Sequence, residues 1–144
     1  MILLMCVDDG WGLAFNGRRQ SRDREVTADM LRLAGESRLW MAPGSLKLFQ
    51  GPEGQCPGQV QAAEDFLERA GEGEYSFAET LDTADESLEE RVEELVLYRW
   101  NRKYPADVRL QWDFEKYKLK ECLEFPGYSH EKITRERYVK GRKE

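Results

Sequence analysis

Asp29 is the residue in this sequence best placed to do chemistry. It sits in Val26-Thr27-Ala28-Asp29-Met30-Leu31-Arg32-Leu33, where Thr27 can cap a helix and Gly35 can end it. On the inner face of that helix, bordered by Met30 and Leu33, the carboxylate would be partly desolvated. It would then accept strong charge-assisted hydrogen bonds from a bound donor. An acid in a first helical turn also complements the helix dipole, and the residues alone leave both roles open. Arg18, Arg19, Arg22 and Arg24 crowd the segment before it, where they could grip a phosphate or a carboxylate tail or could simply form a solvated loop.

Other chemistries have little support. His130 is the only histidine, so Ser-His-Asp, Cys-His and histidine-rich metal arrangements are poorly supported, and no metal is expected. Cys6, Cys56 and Cys122 are odd in number and widely spaced, which argues against a disulfide framework or a zinc site and fits a reducing cytoplasm. Gly10 and Gly12 do not make a dinucleotide fingerprint. A net charge of -6 would repel nucleic acid. The apolar run Met1 to Val7 is too short for a signal sequence or a membrane span and reads as a buried strand.

The elements that would position these residues form one domain over residues 1–144, a chain long enough for a core without staples. A continuous apolar first strand suits a sheet covered on both faces. The stretch Asp8 to Gly17, with three glycines and an Asn-Gly pair, reads as a long loop. Leu39-Trp40-Met41 predicts a second strand and Ser45 to Phe49 a short helix. Gln50 to Gly58 is irregular, and the spacing of Val60, Ala63, Phe66, Leu67 and Ala70 predicts an amphipathic helix. A short strand at Glu74 to Ala78, an acidic helix from Leu81 to Glu93 and a buried strand at Leu95 to Trp100 follow. Tyr117 to Phe125 and Ile133 to Val139 make a closing hairpin. The fold class is therefore α/β, a three-layer arrangement with a mainly parallel central sheet, an antiparallel C-terminal hairpin and helices on both faces.

Particular residues in this order resemble dihydrofolate reductase. Val7-Asp8-Asp9-Gly10-Trp11-Gly12-Leu13-Ala14-Phe15-Asn16-Gly17 resembles the family's first strand and mobile loop, and Val26-Thr27-Ala28-Asp29-Met30 its hydrophobic-Pro-x-acid segment, with Thr27 in place of proline. Glu94 to Trp100, Tyr104-Pro105-Ala106-Asp107 and Ser129-His130 resemble its later strand, turn and closing hairpin.

The resemblance implies NADPH-dependent reduction of dihydrofolate or a related pterin, with Asp29 orienting the ring and supporting protonation. It places Cys6, Val7, Met30, Leu33 and Tyr98 at the pterin. Trp11, Gly12, Leu13, Ser45 and Thr80 fall where the family holds its cofactor.

The departures favour a different class, a catalytically inactive relative kept for ligand binding or protein interaction. Met41-Ala42-Pro43-Gly44-Ser45 replaces the family's Gly-Arg-x-Thr turn, Thr80-Leu81 replaces its Gly-Gly, and Tyr98 replaces a threonine.

Overall fold

The structure is a computed structural model that describes residues 1–80 and 86–141. Its main sheet has seven strands, in the order β5-β4-β6-β1-β7-β10-β9. At its centre β1 (Ile2–Val7) pairs in parallel with both β6 (Tyr75–Phe77) and β7 (Glu94–Arg99). Its side chains divide between two cores. Leu3, Met5 and Val7 join the cluster that holds Leu88, Val92 and Leu110, while Leu4 and Cys6 join the one that holds Val26, Met30 and Ala34. A strand covered on both faces has no wet side, which is why its sequence is uniformly apolar.

β4 (Leu39–Met41) lies parallel to β6 and to the edge strand β5 (Val60–Ala62). On the other side β10 (Ile133–Lys140) runs antiparallel to β7, and β9 (Tyr117–Phe125) completes the hairpin. The expected class, mainly parallel with an antiparallel C-terminal edge, is the observed one. Helix α1 (Arg24–Ala34) packs on one face, and α2 (Phe66–Arg69) with α3 (Glu86–Arg91) on the other.

Local readings are corrected at four places. The Asp8 to Gly17 stretch is not all loop. Gly12–Phe15 forms β2, which joins β3 (Arg18–Arg19) and β8 (Val108–Arg109) in a small three-stranded sheet. Asn16 and Gly17 make the turn, with φ of 54° and 73°. Helix α1 begins earlier than Thr27: Asp23 is the cap, accepting from the Glu25 amide at 2.9 Å, and Asp29 lies beyond the first turn. The expected helix at Ser45 to Phe49 is a tighter 3₁₀ segment, Pro43–Leu48.

Val60 to Ala70 is not one helix. Val60 pairs with Leu39 across the sheet, and only Phe66–Arg69 is helical. Sheet pairing claimed the β-branched end of a helically spaced pattern. The first part of the predicted acidic helix, residues 81–85, lies outside the described residues. No helix is long and apolar enough to cross a membrane among the described residues.

Candidate functional site

Asp29 is buried, but its carboxylate is already taken. The Tyr98 hydroxyl donates to Oδ2 at 2.7 Å, and Arg135 Nη1 donates to Oδ2 at 2.7 Å and Oδ1 at 3.0 Å. Arg32 adds a contact to Oδ1 at 3.3 Å from the surface. A carboxylate offers about four lone-pair sites, so these donors use its capacity. Register explains the arrangement: Arg135 of β10 pairs directly with Tyr98 of β7, so the two side chains stand together under α1. Burial and then the Asp29 charge push the Tyr98 phenol far above its usual range, which makes it a fixed donor. Burial alone would lower the Arg135 value, but Asp29 and Glu121 together raise it, and the guanidinium stays charged.

Beside α1 a pocket is lined by Cys6, Leu13, Val26, Met30, Phe77 and Trp100, with Ser21 and Asp23 at its polar side. The pocket is partly open to solvent, and its inner part has room for about one water molecule, about 20 Å³. Asp29 is not on its wall. The pocket face of α1 carries Val26, Thr27 and Met30, and Asp29 is turned from it toward β7 and β10. Of the residues expected at a pterin, Cys6 and Met30 reach this pocket. Val7 faces the opposite core, Leu33 is a half-buried flank of α1, and Tyr98 is sealed against Asp29. Burial and then Glu79 and Asp23 push the Cys6 thiol far up, so it remains neutral.

Of the residues expected to hold a cofactor, Trp11 and Gly12 are engaged in contacts within the protein. Trp11, at φ 66°, packs on Phe114 with ring centres 5.0 Å apart and lies under the Arg99 guanidinium at 4.3 Å. Gly12 donates its amide to Asp8 at 2.7 Å, and a Cβ there would come within 2.5 Å of Gln20 Nε2. It is a close-approach glycine that ties the loop to the Asp8 carboxylate. Burial would raise the Asp8 value, but the amides of Gly12, Tyr104 and Gly10 outweigh it and hold the group below the usual range. Leu13 lines the pocket, and Thr80 is exposed.

Ser45 donates to Glu79 Oε2 at 2.8 Å, and Arg19 clamps the same carboxylate through Nε and Nη2 while also donating to the Gly44 carbonyl. Pro43 heads the 3₁₀ segment without an amide hydrogen, and Ala42 supplies no side-chain cap. NADPH, expected from the resemblance, meets a poor fit here. A carboxylate stands beside the hydroxyl that should receive a phosphate, and Arg19 is committed to that carboxylate.

A second buried cluster, which a single histidine in the sequence does not signal, joins Asp23 to His130. Asp23 accepts from the amides of Glu25, Tyr128 and Ser129 and from His130 Nδ1 at 3.0 Å. Burial would raise its pKa, but these donors outweigh it and hold the group at about 2. On the other ring edge, His130 Nε2 lies 2.9 Å from the Tyr104 hydroxyl and 3.3 Å from Ser21 Oγ. Ser21 and Asp23 are near each other in the chain, but the turn before β10 brings His130 to them from 107 positions away. No local motif signals a contact at that separation.

The mouth of the cleft is basic. A groove of about 740 Å³ is lined by Arg19, Arg22, Arg24 and Lys47 together with Ser21 and Thr27. Arg22, Arg24 and Lys47 are exposed, and Arg24 stacks over the Tyr128 ring at 3.5 Å. Arg18 is exposed and is not on the groove wall.

A scan against protein-family models and a search of curated protein sequences return no match. Among solved structures, the chain is similar to dihydrofolate reductase from Enterococcus faecalis, determined in complex with NADP(H) and RAB-propyl. The TM-score is 0.65 at 10% identity, over 98% of this chain and 96% of that one. This chain therefore has the dihydrofolate reductase fold, carried by a strongly divergent sequence.

Proposed function

We propose that this chain is a non-reducing domain built on the dihydrofolate reductase fold, and that its cleft binds a small organic anion. One observation carries the reading: both oxygens of Asp29 are held by Arg135 from inside the protein. The carboxylate that would grip a pterin is spent on an internal ion pair. The Arg19–Glu79–Ser45 brace adds a negative group where a cofactor phosphate would sit. Glu79 is paired with Arg19, and the Asp23 carboxylate is buried among its donors, so the exposed charge of the groove is that of Arg22, Arg24 and Lys47. Guanidinium and ammonium groups beside hydroxyls suit a carboxylate or a phosphate.

The test is calorimetric titration with folic acid and with citrate at low ionic strength. Binding that weakens as salt is raised, and is lost in the Arg22→Ala/Lys47→Ala double variant, supports the reading. Absence of heat with both anions, or heat indifferent to the double substitution, refutes it.

A second reading, NADPH-dependent reduction of dihydrofolate or a related pterin, is favoured by the burial of Asp29 on α1 next to pocket residues Met30 and Cys6. It requires Arg135 to give way to the ring.

A further inference from the structure

We propose that Ser21, His130 and Asp23 form a nucleophile, base and acid relay that hydrolyses esters of small organic anions at the mouth of the groove. The order of contacts is Asp23 Oδ2 to His130 Nδ1 at 3.0 Å, then His130 Nε2 to Ser21 Oγ at 3.3 Å. Asp23 is ionised and acceptor-only, so Nδ1 carries the hydrogen and Nε2 presents its lone pair to the hydroxyls. Trp100 stacks on the imidazole at 4.7 Å and 21°, and Tyr104 meets its edge at 6.3 Å and 76°, which fixes the ring plane.

The Nδ1 edge of the ring ties the turn before β10 to α1 through Asp23. Here the opposite edge faces the Ser21 hydroxyl, and Ser21 lines both the pocket and the basic groove. The Tyr104 hydroxyl, nearer to Nε2 at 2.9 Å and 3.4 Å from Ser21 Oγ, competes for the same lone pair.

In the step itself, Ser21 Oγ bonds to the ester carbonyl carbon as its proton passes to His130 Nε2. The carbonyl π pair moves onto oxygen, beside the Arg22 guanidinium on the groove wall. Collapse breaks the bond to the leaving oxygen, which takes the proton from His130. Water then attacks the acyl-serine, gives its proton to His130, and the carboxylic acid leaves as Ser21 regains the proton. No redox partner or metal is consumed. The charge of the substrate rests on the anion-binding reading above, whereas the relay rests only on the geometry of its three residues.

The full chain is treated with a fluorophosphonate probe and, separately, with p-nitrophenyl acetate and mono-p-nitrophenyl succinate. The adduct should map to Ser21, hydrolysis should fall at least about 100-fold in Ser21→Ala, and the succinate ester should be preferred. Tyr104→Phe should raise the labelling rate by freeing Nε2. Unlabelled Ser21 in the folded wild type, hydrolysis that survives Ser21→Ala, or slower labelling of a folded Tyr104→Phe chain overturns the relay. Equal rates on the two esters with Ser21 labelled uphold the relay and reject the anion-binding reading.

Discussion

Arg135 and Asp29 form an ion pair inside the protein, with a single nitrogen, Nη1, at 2.7 and 3.0 Å from the two carboxylate oxygens. The partners lie 106 positions apart, on β10 and α1, so the pair ties the closing hairpin to the first helix. Both are buried, and each has a second, more exposed partner: Arg32 reaches Asp29 at 3.3 Å and Glu121 accepts from Arg135 at 2.6 Å.

Arg135→Met should therefore destabilise the chain by about 3 kcal/mol, because the buried Asp29 carboxylate is left with only the surface Arg32 as a cationic partner. Pairing it with Asp29→Leu should restore most of that loss, since an apolar pair replaces an ionic one. Tyr98→Phe, which removes one donor and leaves Arg135 in place, should cost about 1 kcal/mol. Denaturant unfolding of the variants measures all three effects.

The Asp23 carboxyl is held at about 2 against an ordinary value of 3.8. A depressed folded value means that the stability it contributes, about 2 kcal/mol, is fully present above pH ~4. It is lost as the pH falls from ~4 toward ~2. The wild type should lose stability over that interval, and Asp23→Asn should show a flatter curve by the same acid titration.

Gly127 faces the same cluster. A Cβ there would lie 2.6 Å from Asp23 Oδ2 and 2.7 Å from the His130 carbonyl oxygen. The carbonyl is backbone and cannot swing aside, so Gly127→Ala should destabilise by about 1–3 kcal/mol, measured by thermal unfolding. Gly44→Ala, with open space around its position, is the matched control.

Binding in the basic groove should be screened by salt, because Arg22, Arg24 and Lys47 are exposed. Each single substitution to Ala should weaken the affinity for folic acid or citrate by about fivefold, near the 1 kcal/mol upper end for exposed charge pairs. Arg18→Ala, off the groove wall, should leave it unchanged.

The sheet was legible where local pattern and tertiary role agree. The apolar run of β1, the trio Leu39-Trp40-Met41 and the closing hairpin each carry their own signal. Val60 was not legible, because its place beside Leu39 depends on a partner strand rather than on its neighbours in sequence. The inward position of Asp29 followed from its helix face, but its capture by Arg135 depends on the register of β10 against β7. In sequence, alternating charges on β10 look like a wet hairpin face, yet Arg135 on that strand is buried. A lone histidine carries no motif in the sequence, and only folding brings His130 to Asp23 on one edge and to hydroxyls on the other.

The most direct test of the central claim, that the Asp29 carboxylate is spent internally, is the decay of NADPH absorbance with dihydrofolate. The wild type and Asp29→Asn are followed side by side. The internal ion pair predicts no decay above the protein-free rate in either chain. Turnover by the wild type that disappears in a folded Asp29→Asn variant would contradict it and place that carboxylate at a working pterin site.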